Sequence, residues 1–261
     1  MFEFFQNGAE GLFPTFTRDM TSPLPTSEVF YRLGMINESE RYAFEAQEAI
    51  PNRRRSGRIM RRLAQCNIVN GNYAVAAKYL RMLQKSLFYA KWADQQMCFI
   101  GNDKAVNAEY GRLRDLRIKK TDYLFSDREM DQMLGLLLVD NRKYNNRMAY
   151  DYLIAYELLQ RDLTKFMKYY PLGKYLKFDH IPNSTQQILI GLWIQRHGSL
   201  DGLPYSVDLQ NVQSTRAFLS VYMTNKQSAE LNSPPLSTNV WRYVLLWSPG
   251  KTTKQEMKEI Y

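Results

Sequence analysis

Two cysteines and two histidines in 261 residues leave little raw material for thiol or metal chemistry. Cys66 and Cys98 are too few for a disulfide framework or a four-thiolate metal site. Each falls in an apolar stretch of helical spacing, where a buried thiol behaves as a small hydrophobe. His180 precedes Ile181-Pro182 in a connection, and His197 stands beside Gly198 at an expected helix end, where the dipole favours a cation. Neither has a nucleophile signature nearby, and His-Glu-x-x-His, a P-loop, a dinucleotide-binding glycine turn and a nucleophile elbow are all missing. The expectation is a chain that is no enzyme, with no catalytic residue, no cofactor and no metal.

Glycine (13) and proline (10) are also sparse, which argues against a turn-rich β architecture. No apolar run approaches the roughly 18–20 residues that span a bilayer; the segment Ile188–Ile194 is among the longest. The opening Met1–Phe5 has no basic leader or small-residue cleavage site, so the chain reads as soluble as given, or as a soluble piece of a longer protein. With 45% apolar and 13% aromatic residues, disorder over most of the length is excluded. The formal charge of +9 would suit an acidic partner, but a basic solvated surface is the reading preferred over a polyanion site.

What the chain does have is helical periodicity. Residues 1–25 show no sustained period and read as an extended arm carrying Phe2, Phe4, Phe5, Leu12, Phe13 and Phe16. Thr26 or Ser27 is expected to cap a helix that Gly34 ends, and Asn37 with Glu40 to open the next, which Pro51 stops. Ile59, Met60, Leu63, Ala64, Asn67 and Ile68 predict a further helix broken at Gly71, with Tyr73, Ala76, Ala77, Leu80, Leu83 and Leu87 on the returning face. From Gly34 to Gly71 is 37 residues, close to the helix-pair period of about 34.

Later segments are less regular. A helix containing Tyr89 to Ile100 closes at Gly101, and Asp103 starts one running towards Lys120. Ser126 with Glu129 predicts a capping box, as do Ser184 with Gln187 and Thr253 with Glu256. Helices are expected over 144–160, 162–170, 188–197 and 207–225, with Ser233-Pro-Pro235 a linker and 240–247 either helix or buried strand.

Arg53, Arg54, Arg55, Arg58, Arg61 and Arg62 could form an anion or partner contact at a helix start, where free N–H groups and guanidinium forks favour phosphate or carboxylate. A solvated loop and polar helix face is the preferred alternative. Arg112, Arg114, Arg117, Lys119 and Lys120 read as an exposed face, and Asp127, Glu129 and Asp131 as helix-start carboxylates. Tyr150, Tyr152 and Tyr156, the pair Tyr169 and Tyr170, and Trp241, Tyr243 and Trp247 read as core ahead of a ligand groove.

Leu63-Ala64, Gly71, Ala76 and Leu80 resemble the Leu-Gly, turn and second-helix positions of the tetratricopeptide repeat. Gly34, Ala46 and Pro51 match its turn glycine, late alanine and closing proline, while Ser39 and Ala43 depart from it. The phrases QNGAEGLF (6–13), RYAFEA (41–46), AKYL (77–80), SLFY (86–89) and NRMA (146–149) through Ala155-Tyr156 resemble an uncharacterised Bacteroidetes family of integral membrane proteins. That likeness covers about residues 1–195 and implies a soluble helical part following membrane spans, with no activity to transfer.

The sequence thus predicts an all-α fold: a right-handed, tetratricopeptide-like α/α superhelix of stacked antiparallel helix pairs. An arm over 1–25 precedes a single domain over 26–261, its regular repeats at about 26–120 and irregular helices at 126–261. Its expected role is to bind a protein or peptide in a concave groove, tethered to a membrane through a missing upstream segment. The alternatives are a substrate-recognition domain of a cell-envelope membrane enzyme and an anion binder through Arg53–Arg62, with nucleic acid disfavoured.

Overall fold

The computed structural model describes residues 23–50, 54–117, 130–140, 146–176 and 180–246, with Met133, Leu136, Val139, Asp140 and Tyr175 described by backbone alone. These residues are helical and contain no strand. The chain divides into two compact units, Met1–Leu176 and Lys177–Tyr261. Of the arm expected over 1–25, residues 23–25 are instead the first turn of a helix, and the rest lies outside the described residues, as do the capping boxes at Ser126 and Thr253.

In the first unit the helices are α1 (Pro23–Leu33), α2 (Ile36–Glu48), α3 (Gly57–Asn70), α4 (Tyr73–Gln84), α5 (Ala90–Gln96), α6 (Asp103–Leu116), α7 (Met130–Asp140), α8 (Arg147–Gln160) and α9 (Leu163–Tyr169). The first six form three pairs, and each pair reverses at a left-handed glycine: Gly34 at φ 91°, Gly71 at 78° and Gly101 at 73°. At Gly71 the turn closes with Asn72 N–H donating to the Asn67 carbonyl at 2.8 Å, which satisfies the end of α3. Such short reversals bring apolar faces together at once. Ala43, Ala46, Ala64 and Ala76 let backbones approach, and Ile59, Leu63, Ile68, Leu80 and Leu83 fill the space between.

Two expected caps are used differently. Helix α1 begins at Pro23, so Thr26 and Ser27 are interior and buried, and the Ser27 hydroxyl donates to the Ser39 carbonyl of α2 at 2.6 Å. Helix α2 begins at Ile36 without a side-chain cap. Asn37 instead accepts from Asn70 at 2.9 Å and Glu40 from Asn67 at 2.7 Å, tying the first pair to the second.

In the second basic stretch Arg112 is exposed as expected, Lys119 and Lys120 lie outside the described residues, and Arg114 and Arg117 tie helices together. Arg114 donates to the Val69 carbonyl at 3.1 Å and to Tyr73 Oη at 2.9 Å, so a cation closes the negative end of α3. Arg117 donates to Asn70 at 2.9 Å. Asn146 caps α8 by accepting from Ala149 N–H at 3.2 Å, and its amide donates to the Leu33 carbonyl at 3.0 Å, joining α8 to the end of α1.

In the second unit α10 (Asn183–His197), α11 (Leu209–Thr224) and α12 (Val240–Leu246) meet through amides. The Ser184–Gln187 box does not form, because α10 starts one residue earlier. Gln187 donates to Asn211 at 3.1 Å and accepts from Val240 N–H at 2.9 Å, while Gln186 accepts from Asp208 N–H at 2.7 Å. Residues 240–246 are helix, and Trp241 lies against Gly191 with its indole N–H on the Gln187 carbonyl at 2.7 Å.

The glycines at the first two turns separate backbone strain from steric overlap. A Cβ at Gly34 would lie 2.7 Å from Leu116 Cβ, whereas one at Gly71 meets only the Arg114 guanidinium at 3.8 Å. Gly71→Ala is expected to cost about 1 kcal/mol from the left-handed backbone. Gly34→Ala adds overpacking against a buried leucine and should cost roughly 2–4 kcal/mol. Urea unfolding of both variants checks the order.

Candidate functional site

Helix α3 carries the arginine run into two different surroundings. Arg53 lies outside the described residues. Arg54 is exposed, and its carbonyl accepts from Gln47 at 2.6 Å. Exposed Arg55 turns towards α4, where its guanidinium reaches Met82 Sδ at 3.5 Å. Arg58, Arg61 and Arg62 are spaced i, i+3 and i+4, so they share one face of α3. With Glu28, Tyr31 and Tyr89 they line a cavity of about 750 Å³.

Arg62 is the anchor of this cavity. Its guanidinium stacks 3.9 Å from the Tyr31 ring centroid and forms an ion pair with Glu28. Glu28 also accepts from Arg32 Nε at 2.6 Å, so this carboxylate is already shared between two guanidinium groups. Arg62 Nη1 and the Tyr31 hydroxyl are both buried with no hydrogen-bond partner among the described residues. Burial pulls the Arg62 guanidinium below its ordinary pKa, and burial drives the Tyr31 phenol up. Arg61 stacks over Trp92 at 5.0 Å.

Three guanidinium groups therefore face one carboxylate, with two buried donors unspent. A carboxylate or phosphate would satisfy those donors and restore charge balance, since the guanidinium fork matches the two oxygens of such groups. Proton transfer is poorly served. Guanidinium does not deprotonate near neutral pH, and the phenol is held protonated.

A second group was not legible as a site from sequence. Asp131 lies in the first turn of α7, as expected of a helix-start carboxylate, and is also buried, bonded by Lys165 Nζ and by the Tyr169 hydroxyl, each at 3.0 Å. Glu157 on α8 is 1% exposed, and neither of its oxygens has a partner among the described residues. Desolvation, with Asp131 nearby, raises its pKa to about 7. A signal existed: Glu157 continues the stripe of Tyr150 and Leu153, so the helical period placed a carboxylate on a core face. Among the described residues no group of three or more His, Cys, Asp or Glu could hold a metal ion.

The remaining candidates are dispersed. His180 and His197 are exposed, and His197 stacks on Trp193 at 4.0 Å. Tyr150, Tyr156 and Trp241 are buried core, Tyr152, Tyr169, Tyr170 and Tyr243 are half-buried, and Trp247 lies outside the described residues. Asp127 and Glu129 also lie outside them. Cys66 is buried, its thiol donating to Ser39 Oγ at 3.5 Å, whereas Cys98 is exposed and not the core thiol expected.

Two outcomes follow from these burials. Burial pushes the Cys66 thiol up to about 12, so native protein at pH 8 should take one equivalent of a thiol reagent, at Cys98, and two after denaturation. Mass spectrometry of the labelled protein reads this directly. Folded Glu157 holds its proton through the window from about 4.5 to about 7 in which the unfolded chain loses it, so its contribution to stability falls as pH rises there. Glu157→Gln should melt a few degrees above the parent at pH 8, with the gap closing below pH 5, as thermal unfolding at both pH values will report.

No curated protein and no solved structure matches the chain. A family of unknown function, DUF6057, matches residues 1–246, and the chain belongs to that family.

Proposed function

We propose that this chain is a non-enzymatic helical-repeat binding domain whose first unit takes an acidic group of a protein or peptide partner into the Arg58–Arg61–Arg62 cavity. The observation that carries the reading is the buried, unpartnered Nη1 of Arg62 beside the unpartnered Tyr31 hydroxyl. A buried donor left unsatisfied costs about 1–3 kcal/mol, and an entering carboxylate removes that cost while gaining charge-assisted bonds. The volume of about 750 Å³ suits a side chain or chain terminus with its neighbours. The aromatic rings of Tyr31 and Trp92 brace the guanidinium groups in place, so the site is organised before its partner arrives.

Three successive helix pairs turned at Gly34, Gly71 and Gly101 support a tetratricopeptide-like, right-handed stacking for this unit. None of the helices among the described residues is long and apolar enough to cross a membrane. The phrases shared with integral membrane proteins support a tether supplied by another segment.

A dye-labelled oligoglutamate peptide, with oligoglutamine as the uncharged control, tests the reading by fluorescence anisotropy. Oligoglutamate is expected to bind more tightly, with affinity falling as salt rises. Arg62→Ala should weaken it about tenfold to a hundredfold, the worth of one charge-assisted bond, and Arg62→Lys by a smaller factor because the fork is lost. Equal affinity for the two peptides, or an unchanged affinity in Arg62→Ala and Arg58→Ala with circular dichroism intact, would sink it.

A further inference from the structure

The turn joining α4 to α5 exposes two large apolar side chains side by side: Leu87 is 89% exposed and Phe88 86%. Other exposed apolar residues of the chain, such as Leu209 and Met223, occur singly, which is ordinary for a surface. This pair is different because it is adjacent and held at a tip. Tyr89 N–H donates to Ser86 Oγ at 3.1 Å, and Gln84 bonds Asp94 at 2.7 Å across the stem. Tyr89 lies against Gly57, where a Cβ would approach its ring to 2.5 Å. The tip is braced, and its two apolar side chains still point away from the core.

Directly behind the tip lies a cavity of about 500 Å³ with a floor of Met60, Met82 and Leu83 and a rim of Arg55, Lys78, Arg81 and Lys85. No acidic residue is among the described residues that line it. Lys91 adds a further exposed cation on the other side of the turn. None of these five basic residues enters any of the ion pairs among the described residues.

We infer that this tip docks the protein on an anionic phospholipid surface, with Leu87 and Phe88 entering the acyl boundary and the cationic rim at headgroup level. The arrangement suits a membrane better than a protein. A specific protein interface needs on the order of 1,000 Å² of matched surface, whereas a two-residue convex tip offers far less. A lipid surface deforms around such a tip, and long Lys and Arg side chains extend to phosphates on every side of it. The methionine floor between the cations could seat the upper part of an acyl chain whose phosphate meets the rim. The inference is independent of the Arg62 cavity, which opens between α1 and α3.

The full chain is tested by co-sedimentation with vesicles of phosphatidylcholine alone and of phosphatidylcholine mixed with phosphatidylglycerol. Binding is expected only to the anionic vesicles and should weaken as salt rises. Each of Arg81→Glu and Lys85→Glu should weaken it at least about fivefold, and Leu87→Ser with Phe88→Ser about tenfold or more. Phe88→Trp should gain blue-shifted emission over the parent on adding anionic vesicles, and only those, which reports entry into the acyl boundary. No binding to either vesicle, binding unchanged in both sets of variants, or an unshifted Phe88→Trp emission would overturn the inference. Affinity for oligoglutamate lost in the Arg81 and Lys85 variants, with no vesicle binding, would overturn it in favour of an acidic protein partner.

Discussion

The first unit depends on chain reversal without a loop. Gly34, Gly71 and Gly101 adopt positive φ; the first two pairs turn within two residues, so their apolar faces meet immediately, and the third turns through the short 3-10 segment Met97–Phe99 and Gly101. Gly34 is the most constrained of the three, because Leu116 at the end of α6 packs onto the space where its side chain would be. That contact brings the end of the third pair onto the turn of the first. It is a constraint on residue size at one position, and the packing of six helices follows from it.

Close packing in turn decides where the charges go. Once α1 and α3 are drawn together, Arg62 cannot remain fully hydrated, and it finds a tyrosine face and half of a shared carboxylate. Its Nη1 has no hydrogen-bond partner among the described residues, which is the source of the proposed ligand preference. Among α7, α8 and α9, packing buries Glu157 near Asp131, and Lys165 and the Tyr169 hydroxyl both bond Asp131, while burial raises the Glu157 pKa to about 7. Buried polar groups elsewhere are satisfied with more economy, as in the Gln186, Gln187 and Asn211 amides of the second unit.

The two cationic cavities of the first unit differ in a way that matters for recognition. The Arg62 cavity is partly aromatic, contains a carboxylate and positions rigid guanidinium groups, which favours a defined anionic group. The cavity behind Leu87 and Phe88 has a flexible rim of lysines and arginines over methionine, which favours a deformable surface of many phosphates. Part of the basic charge of the chain, Arg58, Arg61 and Arg62 in one cavity and Arg55, Lys78, Arg81 and Lys85 in the other, thus faces two chemically distinct places.

From the sequence alone, helical period and glycine placement determined most of the secondary structure, because both act over a few residues: Gly34, Gly71 and Gly198 end helices where the pattern says they should, while the helix expected to reach Gly101 stops at Gln96 and passes through a 3-10 turn. The face shared by Arg58, Arg61 and Arg62 was legible for the same reason; Glu157 on an apolar stripe carried the same signal but was not read as a site. What the sequence could not show is which groups lie opposite that face. Asn37, Glu40 and Ser27 read as caps, yet they serve as ties between helices, since a polar side chain near a helix start can bond its own backbone or a neighbouring helix with similar energy. Arg114 read as an exposed charge and is part-buried, and Asp131 read as a helix-start carboxylate and is buried as well, for a related reason: burial is set by residues distant in sequence, and only the tertiary structure brings Val69 to Arg114 or Lys165 to Asp131. Local pattern decided the helices, and long-range packing decided which of their charges were left without a partner.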